Sequence, residues 1–218
     1  MSARISAIRC RSLSVVAAKD RNEVDAALEV IGLIDLKGRI VTADALHCNR
    51  KMVEAIIEKG GDYCIALKGN QDALQSDARD CLAKSKMKHP VAMTETSGYG
   101  RLETRVGMVV EAKGLAECHE FPGLKAFARI EATRVNDGRT ESDIRIFVLS
   151  RRLSPETLSK AVTKTIGGRG IDPRFVRIFA VESNRSPRGE LGLSAGVIWS
   201  TLGTPVSDAT VATASRNA

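Results

Sequence analysis

Asp44 closes a short β-branched run, Arg39-Ile40-Val41-Thr42-Ala43, that follows the turn residue Gly38. The pattern predicts a buried strand with a carboxylate at its C-terminal end. A second apolar run, Tyr63-Cys64-Ile65-Ala66-Leu67, leads directly into Lys68-Gly69-Asn70-Gln71. Side chains of these types, cationic and amide, suit contacts to phosphate oxygens, while Gly69-Asn70 equally suits a plain turn and helix cap. The elements between them decide whether the two groups meet. Asn49 can cap a helix in which Met52, Val53, Ile56 and Ile57 recur at helical spacing, and Lys59-Gly60-Gly61 ends it with a cation and glycines that tolerate φ > 0. Strand, helix and strand in so short a span imply a right-handed βαβ unit whose parallel strands gather ligands at their C-terminal ends. Asp44 and Lys68 to Gln71 then share one rim.

Other charged residues carry two readings each. Arg101 and Arg105 flank Leu102-Glu103-Thr104 on a strand-like segment, where both arginines point outward and serve either an anionic backbone or a solvated face. Glu103 between them is an ion-pair partner rather than a metal ligand. His47-Cys48 and Cys118-His119 lack the paired ligand spacing that a zinc site needs.

Composition narrows the class of protein. The chain has 218 residues, 43% hydrophobic and 27% charged, as expected of a folded globular protein with a real core. No apolar run approaches the roughly 20 residues of a transmembrane helix, so no membrane partner is expected. A net charge of +7 with a pI near 9.3 suits an anionic partner such as nucleic acid. Five cysteines, an odd number without C-x-x-C spacing, argue for free buried thiols and a cytoplasmic location.

Along the rest of the chain, a strand is expected over Leu13 to Ala18 and a helix from Asn22 to Ile34 with Val24, Ala27, Leu28 and Ile31 on one face. Residues 73–83 continue as a polar helix with Leu74, Ala78, Cys81 and Leu82 on one side, closed by Lys84, Lys86, Lys88 and His89. From Val91 to Ser150 the period becomes two. Strands are expected over 105–111, 124–131 and 143–148, with Asn136-Asp137-Gly138 as a hairpin turn. Ser154-Pro155-Glu156 opens a helix from Thr157 to Lys164. Beyond it, Thr165-Ile166-Gly167-Gly168-Arg169-Gly170-Ile171-Asp172-Pro173 is dense in turn residues and has no usable period, so both chain ends are expected to be irregular or disordered.

The words D-L-K-G from Asp35, V-T-x-D-A from Val41, K-G-G-D-Y from Lys59 and L-K-G-N-Q from Leu67 resemble, in this order and spacing, the central block of bacterial insertion-sequence transposases of the DDE type. The likeness continues through Gly98-Tyr99-Gly100-Arg101-Leu102-Glu103-Thr104-Arg105, where the family has His at the position of Tyr99, and through Phe121-Pro122-Gly123-Leu124-Lys125 and Arg145-Ile146-Phe147-Val148-Leu149-Ser150. It spans about residues 15–164.

The resemblance implies an α/β fold: a partial RNase H-like core, built on the parallel strand-helix-strand unit, with an antiparallel β-rich insertion. On that reading residues 1–14 are a divergent start, 15–90 the partial core, 91–150 the insertion, 151–164 the start of a core helix and 165–218 a basic tail. It makes Asp44 the second of three catalytic carboxylates and a ligand of Mg²⁺, with Mn²⁺ as a substitute. It implies DNA as partner, in insertion-sequence terminal inverted repeats, together with full-length transposase; Lys68, Asn70, Gln71, Arg101 and Arg105 are then the candidate DNA contacts, each keeping its structural alternative. Two ions roughly 3.5–4 Å apart would drive DNA cutting and joining, and hard ions of this kind need several converging carboxylates.

The family's first Asp belongs to a region without a counterpart here, and its third acid, a Glu after His-Trp, falls on Arg169. Glu182 in Ala180-Val181-Glu182-Ser183-Asn184 echoes the family's Val-Glu-Asn, thirteen residues late and with Pro187 nearby. A change of reading frame would account for the departure, since ACC-ATT-GG can encode Thr165-Ile166-Gly167 while the shifted letters contain CAT-TGG, His-Trp; on that expectation residues 165–218 are out of frame. The expected product is an inactive copy, or else a binding remnant that interferes with an active transposase, or the unstable product of a degraded reading frame.

Overall fold

The computed structural model describes residues 9–16, 23–85, 93–98, 101–136, 139–162, 174–182 and 193–201. They form a mixed α/β fold around a nine-stranded sheet. In chain order the elements are β1 (Arg9–Val16), α1 (Glu23–Leu33), β2 (Ile40–Ala43), α2 (Arg50–Glu58), β3 (Asp62–Leu67), α3 (Asp72–Lys84), β4 (Met93–Gly98), β5 (Arg101–Glu111), α4 (Leu115–Cys118), β6 (Ala126–Asn136), β7 (Arg139–Leu149), α5 (Pro155–Val162), β8 (Phe175–Glu182) and β9 (Leu193–Thr201). The order across the sheet is β1-β9-β8-β2-β3-β7-β6-β5-β4.

Alternation within the central strands sorts the core into two layers. Val41 on β2, Tyr63, Ile65 and Leu67 on β3, and Ile146 and Val148 on β7 pack in the layer that holds α1, α2 and α3. Ile40, Cys64, Phe147 and Leu149 turn to the opposite layer, where Leu158 and Ala161 of α5 cover them. Both faces of these strands are buried, which explains why they read as continuous apolar runs rather than as alternation.

β2 and β3 pair in parallel, from Ile40 with Asp62 to Ala43 with Ile65, and α2 makes the connection. The Asn49 side chain accepts from the Met52 N–H at 3.0 Å, as its sequence position predicts. Ile57 differs from its expected place in the core and is partly exposed. The other end of α2 also differs from expectation: the Lys59 ammonium donates to the carbonyls of Gly32 and Ile34. It therefore neutralises the C-terminal end of α1, where carbonyls lack helical partners, rather than that of its own helix. Gly61 has no room for a side chain, because a Cβ there would stand 2.9 Å from Leu36 Cβ.

The strands from β4 to β7 form the expected antiparallel block and run longer than the sequence pattern indicates. β6 and β7 stay in register to Asn136 with Arg139, which leaves a two-residue connection of the hairpin type. Residues 137–138 themselves lie outside the described residues. β7 pairs antiparallel with β3 from Cys64–Leu149 to Leu67–Ile146, so the block continues the same sheet. Ser150 fastens the junction: its hydroxyl donates to Asp62 Oδ1 at 2.8 Å and accepts from the Tyr63 N–H at 2.9 Å.

Among the described residues, the chain ends correct an expectation in part. The N-terminal segment forms β1, which contains residues 13–16 of the expected strand, and the tail contributes β8 and β9. β8 lies parallel to β2, with Ile40 opposite Phe175 and Thr42 opposite Arg177, and the Ile40 N–H donates to the Arg174 carbonyl at 2.7 Å. The physical reason is packing on both faces. Val176 and Ile178 enter one core layer and Phe175 the other, a two-sided apolar strand that the Gly- and Arg-rich composition around it obscures. β2 thereby gains a hydrogen-bonding neighbour on both sides.

Candidate functional site

Asp44 stands at the C-terminal end of β2, with its side chain 69% exposed. Its Oδ1 accepts from the Leu46 N–H at 3.1 Å and so caps the 3-10 turn Ala45–His47. His47 is fully buried, with Nε2 3.9 Å from Asp44 Oδ1. The adjacent Cys48 is also buried, and burial pushes its thiol up to about 12. It is therefore a neutral packing group at ordinary pH rather than a thiolate ligand.

The β3–α3 connection meets Asp44 as the sequence predicts, but its side chains divide. Asn70 Nδ2 donates to the carbonyls of Ala45 at 2.8 Å and Cys48 at 3.2 Å, and Gln71 Nε2 donates to Cys48 O at 3.4 Å. Both amides hold the loop after Asp44 in place. Lys68 extends into solvent from the start of the same turn. Asp44 and Lys68 open into a cleft of about 480 Å³ whose other polar lining is Gln75 and Arg79 from α3 and Asp143 and Arg145 from β7. Gln75 donates to Leu67 O at 3.4 Å, and Arg145 Nε donates to Asp143 Oδ2 at 2.8 Å.

Arg105 is placed elsewhere. β7 and β6 separate β5 from β3, and Arg105 Nη2 binds Glu103 Oε1 at 2.9 Å, which also receives Arg134 Nε at 3.2 Å. Glu103 is the centre of an ion-paired group, as its position between arginines predicts. The Arg101 and Glu182 side chains lie outside the described residues.

Gln75, Arg79, Asp143 and Arg145 had no functional reading in the sequence. The available signal was spacing, since Gln75 and Arg79 are four apart on one helix face and Asp143 and Arg145 are two apart on one strand face.

The Mg²⁺ pair implied by the family resemblance asks for several converging carboxylates. Among the described residues, no group of three His, Cys, Asp or Glu side chains is placed to hold a metal ion. Asp44 supplies one carboxylate and Asp143, paired with Arg145, a second. The described residues do not fit a two-ion centre.

Comparison with known proteins bears on the same region. Residues 10–164 match the family described as a transposase DDE domain. The chain is 34% identical over 137 residues to an uncharacterized protein in the dhlA 3′ region of Xanthobacter autotrophicus, a match covering 62% of this chain and 46% of that one. It is 35% identical over 97 residues to YbfD of Escherichia coli K12, named as a candidate H repeat-associated transposase, covering 43% of this chain and 38% of that protein. A solved structure of the sugar N-methyltransferase KedS8 from Streptoalloteichus aligns over 80% of this chain and 86% of its own at 11% identity, with a TM-score of 0.20, too low to bear on the fold. The chain spans less than half the length of these curated relatives. With the family match covering residues 10–164 and Asp44 displayed at the end of a parallel strand inside it, the chain belongs to the transposase DDE domain family.

Proposed function

We propose that this chain carries part of a DDE transposase catalytic core and binds DNA without cutting it. The carrying observation is Asp44, an exposed carboxylate at the C-terminal end of β2, opening into a cleft that also holds cations. On this reading β2, α2 and β3 are part of an RNase H-like core that spans residues 15–90 and resumes at 151–164, residues 91–150 are its insertion, and Asp44 occupies the position of the second catalytic acid. Two-ion strand cleavage needs more carboxylates than the described residues bring together. Its substrate would be the terminal inverted repeats of an insertion sequence, met in the cytoplasm, where occupying those ends would interfere with an active transposase.

The test incubates the protein with supercoiled plasmid and with duplex carrying the inverted repeats, with Mg²⁺ or EDTA. Salt-sensitive binding with no Mg²⁺-dependent nicking, the same for Asp44→Ala, is expected. Nicking that requires Mg²⁺ and disappears in Asp44→Ala would show an active enzyme. Absence of binding at low salt would remove the reading altogether.

A further inference from the structure

We infer that Lys68, Arg79 and Arg145 hold a phosphodiester of a bound DNA strand beside Asp44, and that Asp143 occupies Arg145 until the strand arrives. The inference rests on the DNA-binding reading above and assigns side chains to it.

Three elements bring the cations to one cleft. The register of Leu67 with Ile146 sets Lys68, one residue beyond β3, across from Arg145 on β7. Arg79 comes from the α3 face that Gln75 fixes through its bond to the Leu67 carbonyl. Three cations against the carboxylates of Asp44 and Asp143 leave the cleft with one positive charge, the complement of one phosphodiester. Lys68 and Arg79 make no ion pair among the described residues, whereas Arg145 is paired at 2.8 Å. That pair is about half exposed on both sides, so it holds Arg145 weakly and can exchange one oxyanion for another. A guanidinium presents several donors in a planar fork, which suits transfer from a carboxylate to phosphate oxygens.

The experiment measures binding of a fluorescein-labelled duplex and of the matching single strand by anisotropy, from about 50 to 200 mM salt. Arg79→Ala and Arg145→Ala should each weaken binding and reduce the slope of log K against log salt by about one unit. Lys113→Ala, on an exposed lysine outside the cleft, should leave that slope unchanged. Asp143→Asn should tighten binding severalfold, because Arg145 loses its internal competitor. Thermal melts of the variants, all at exposed or half-exposed positions, report that the fold is retained. If wild-type protein binds DNA and the two arginine variants bind it equally well with the same slope, the cleft is a solvated basic surface and the inference is wrong while DNA binding stands. If Asp143→Asn weakens binding, the assignment of Asp143 as competitor is wrong. Failure of the wild-type protein to bind either probe removes the underlying reading as well. Displacement of the labelled strand by inorganic phosphate at concentrations that leave bulk ionic strength unchanged would mark a free-phosphate site and overturn the assignment to DNA.

Discussion

Cys48 and Cys64 are buried thiols, each pushed up to about 12 by burial from an ordinary value near 9. Their contribution to stability has a definite sign. Below about pH 9 both folded and unfolded chains keep these protons; between about 9 and 12 only the unfolded chain loses them, so stability falls as pH rises through that window. Tyr63 is raised above its ordinary value too, by burial first and by the charge of Cys48 second, and adds to the fall at its upper end. Urea midpoints should therefore drop from about pH 8 to about pH 10.5, and the drop should shrink in Cys48→Ala/Cys64→Ala. An undiminished drop in the double variant would assign the effect to other groups. Asp44 was legible at this scale because a β-branched run ends on it. The roles of Asn70 and Gln71 were not, since the same amide donors suit a phosphate oxygen or a backbone carbonyl, and only the approach of the Ala45–Cys48 loop decides between them.

Elements meet through a few polar clasps, and Asn70 is the one closest to the site. It joins the loop after β2 to the loop after β3 by two hydrogen bonds. Asn70→Ala leaves two carbonyls to find other donors and should cost about 1–2 kcal/mol, read as a lower urea midpoint with unchanged m. Asn70→Asp, which sets a carboxylate against those carbonyls, should cost more. Equal stability of wild type and Asn70→Ala would mean that packing alone holds the two loops. A similar clasp binds the β5–β6 connection: Arg50 reaches Glu120 Oε2 at 2.8 Å and the His119 carbonyl at 2.9 Å, and His119 Nε2 lies 2.7 Å from Asp77 Oδ2. Helix α2 and the hairpin block were readable because caps, apolar spacing and turn residues agree over those stretches. β8 was not, because its apolar residues only make sense opposite β2, and nothing local announces that pairing.

For the whole molecule, the tail strand is structural. Without β8, β2 loses its partner on one side and the core loses Val176 and Ile178, leaving unpaired backbone in the strand that ends at Asp44. A chain ending after Val162 should lose its cooperative thermal transition or melt far lower than the full chain. A truncated chain that melts like the full one would show that β8 contributes nothing to the fold. The family match ends at residue 164, yet the sheet draws on residues beyond it, so the boundary of sequence similarity and the boundary of the folded body differ.

That placement of β8 also bears on how the chain is born. A strand near the start of the fold waits for a neighbour that leaves the ribosome 135 residues later, counting from Ile40 to Phe175. At about 5–20 residues per second the wait lasts roughly 7 to 27 seconds. During it, the Asp44 strand has an open side that another nascent chain could occupy, and pairing over so long a separation is slow to close. The consequence is a chain whose yield of soluble product depends on the speed of translation between β2 and β8.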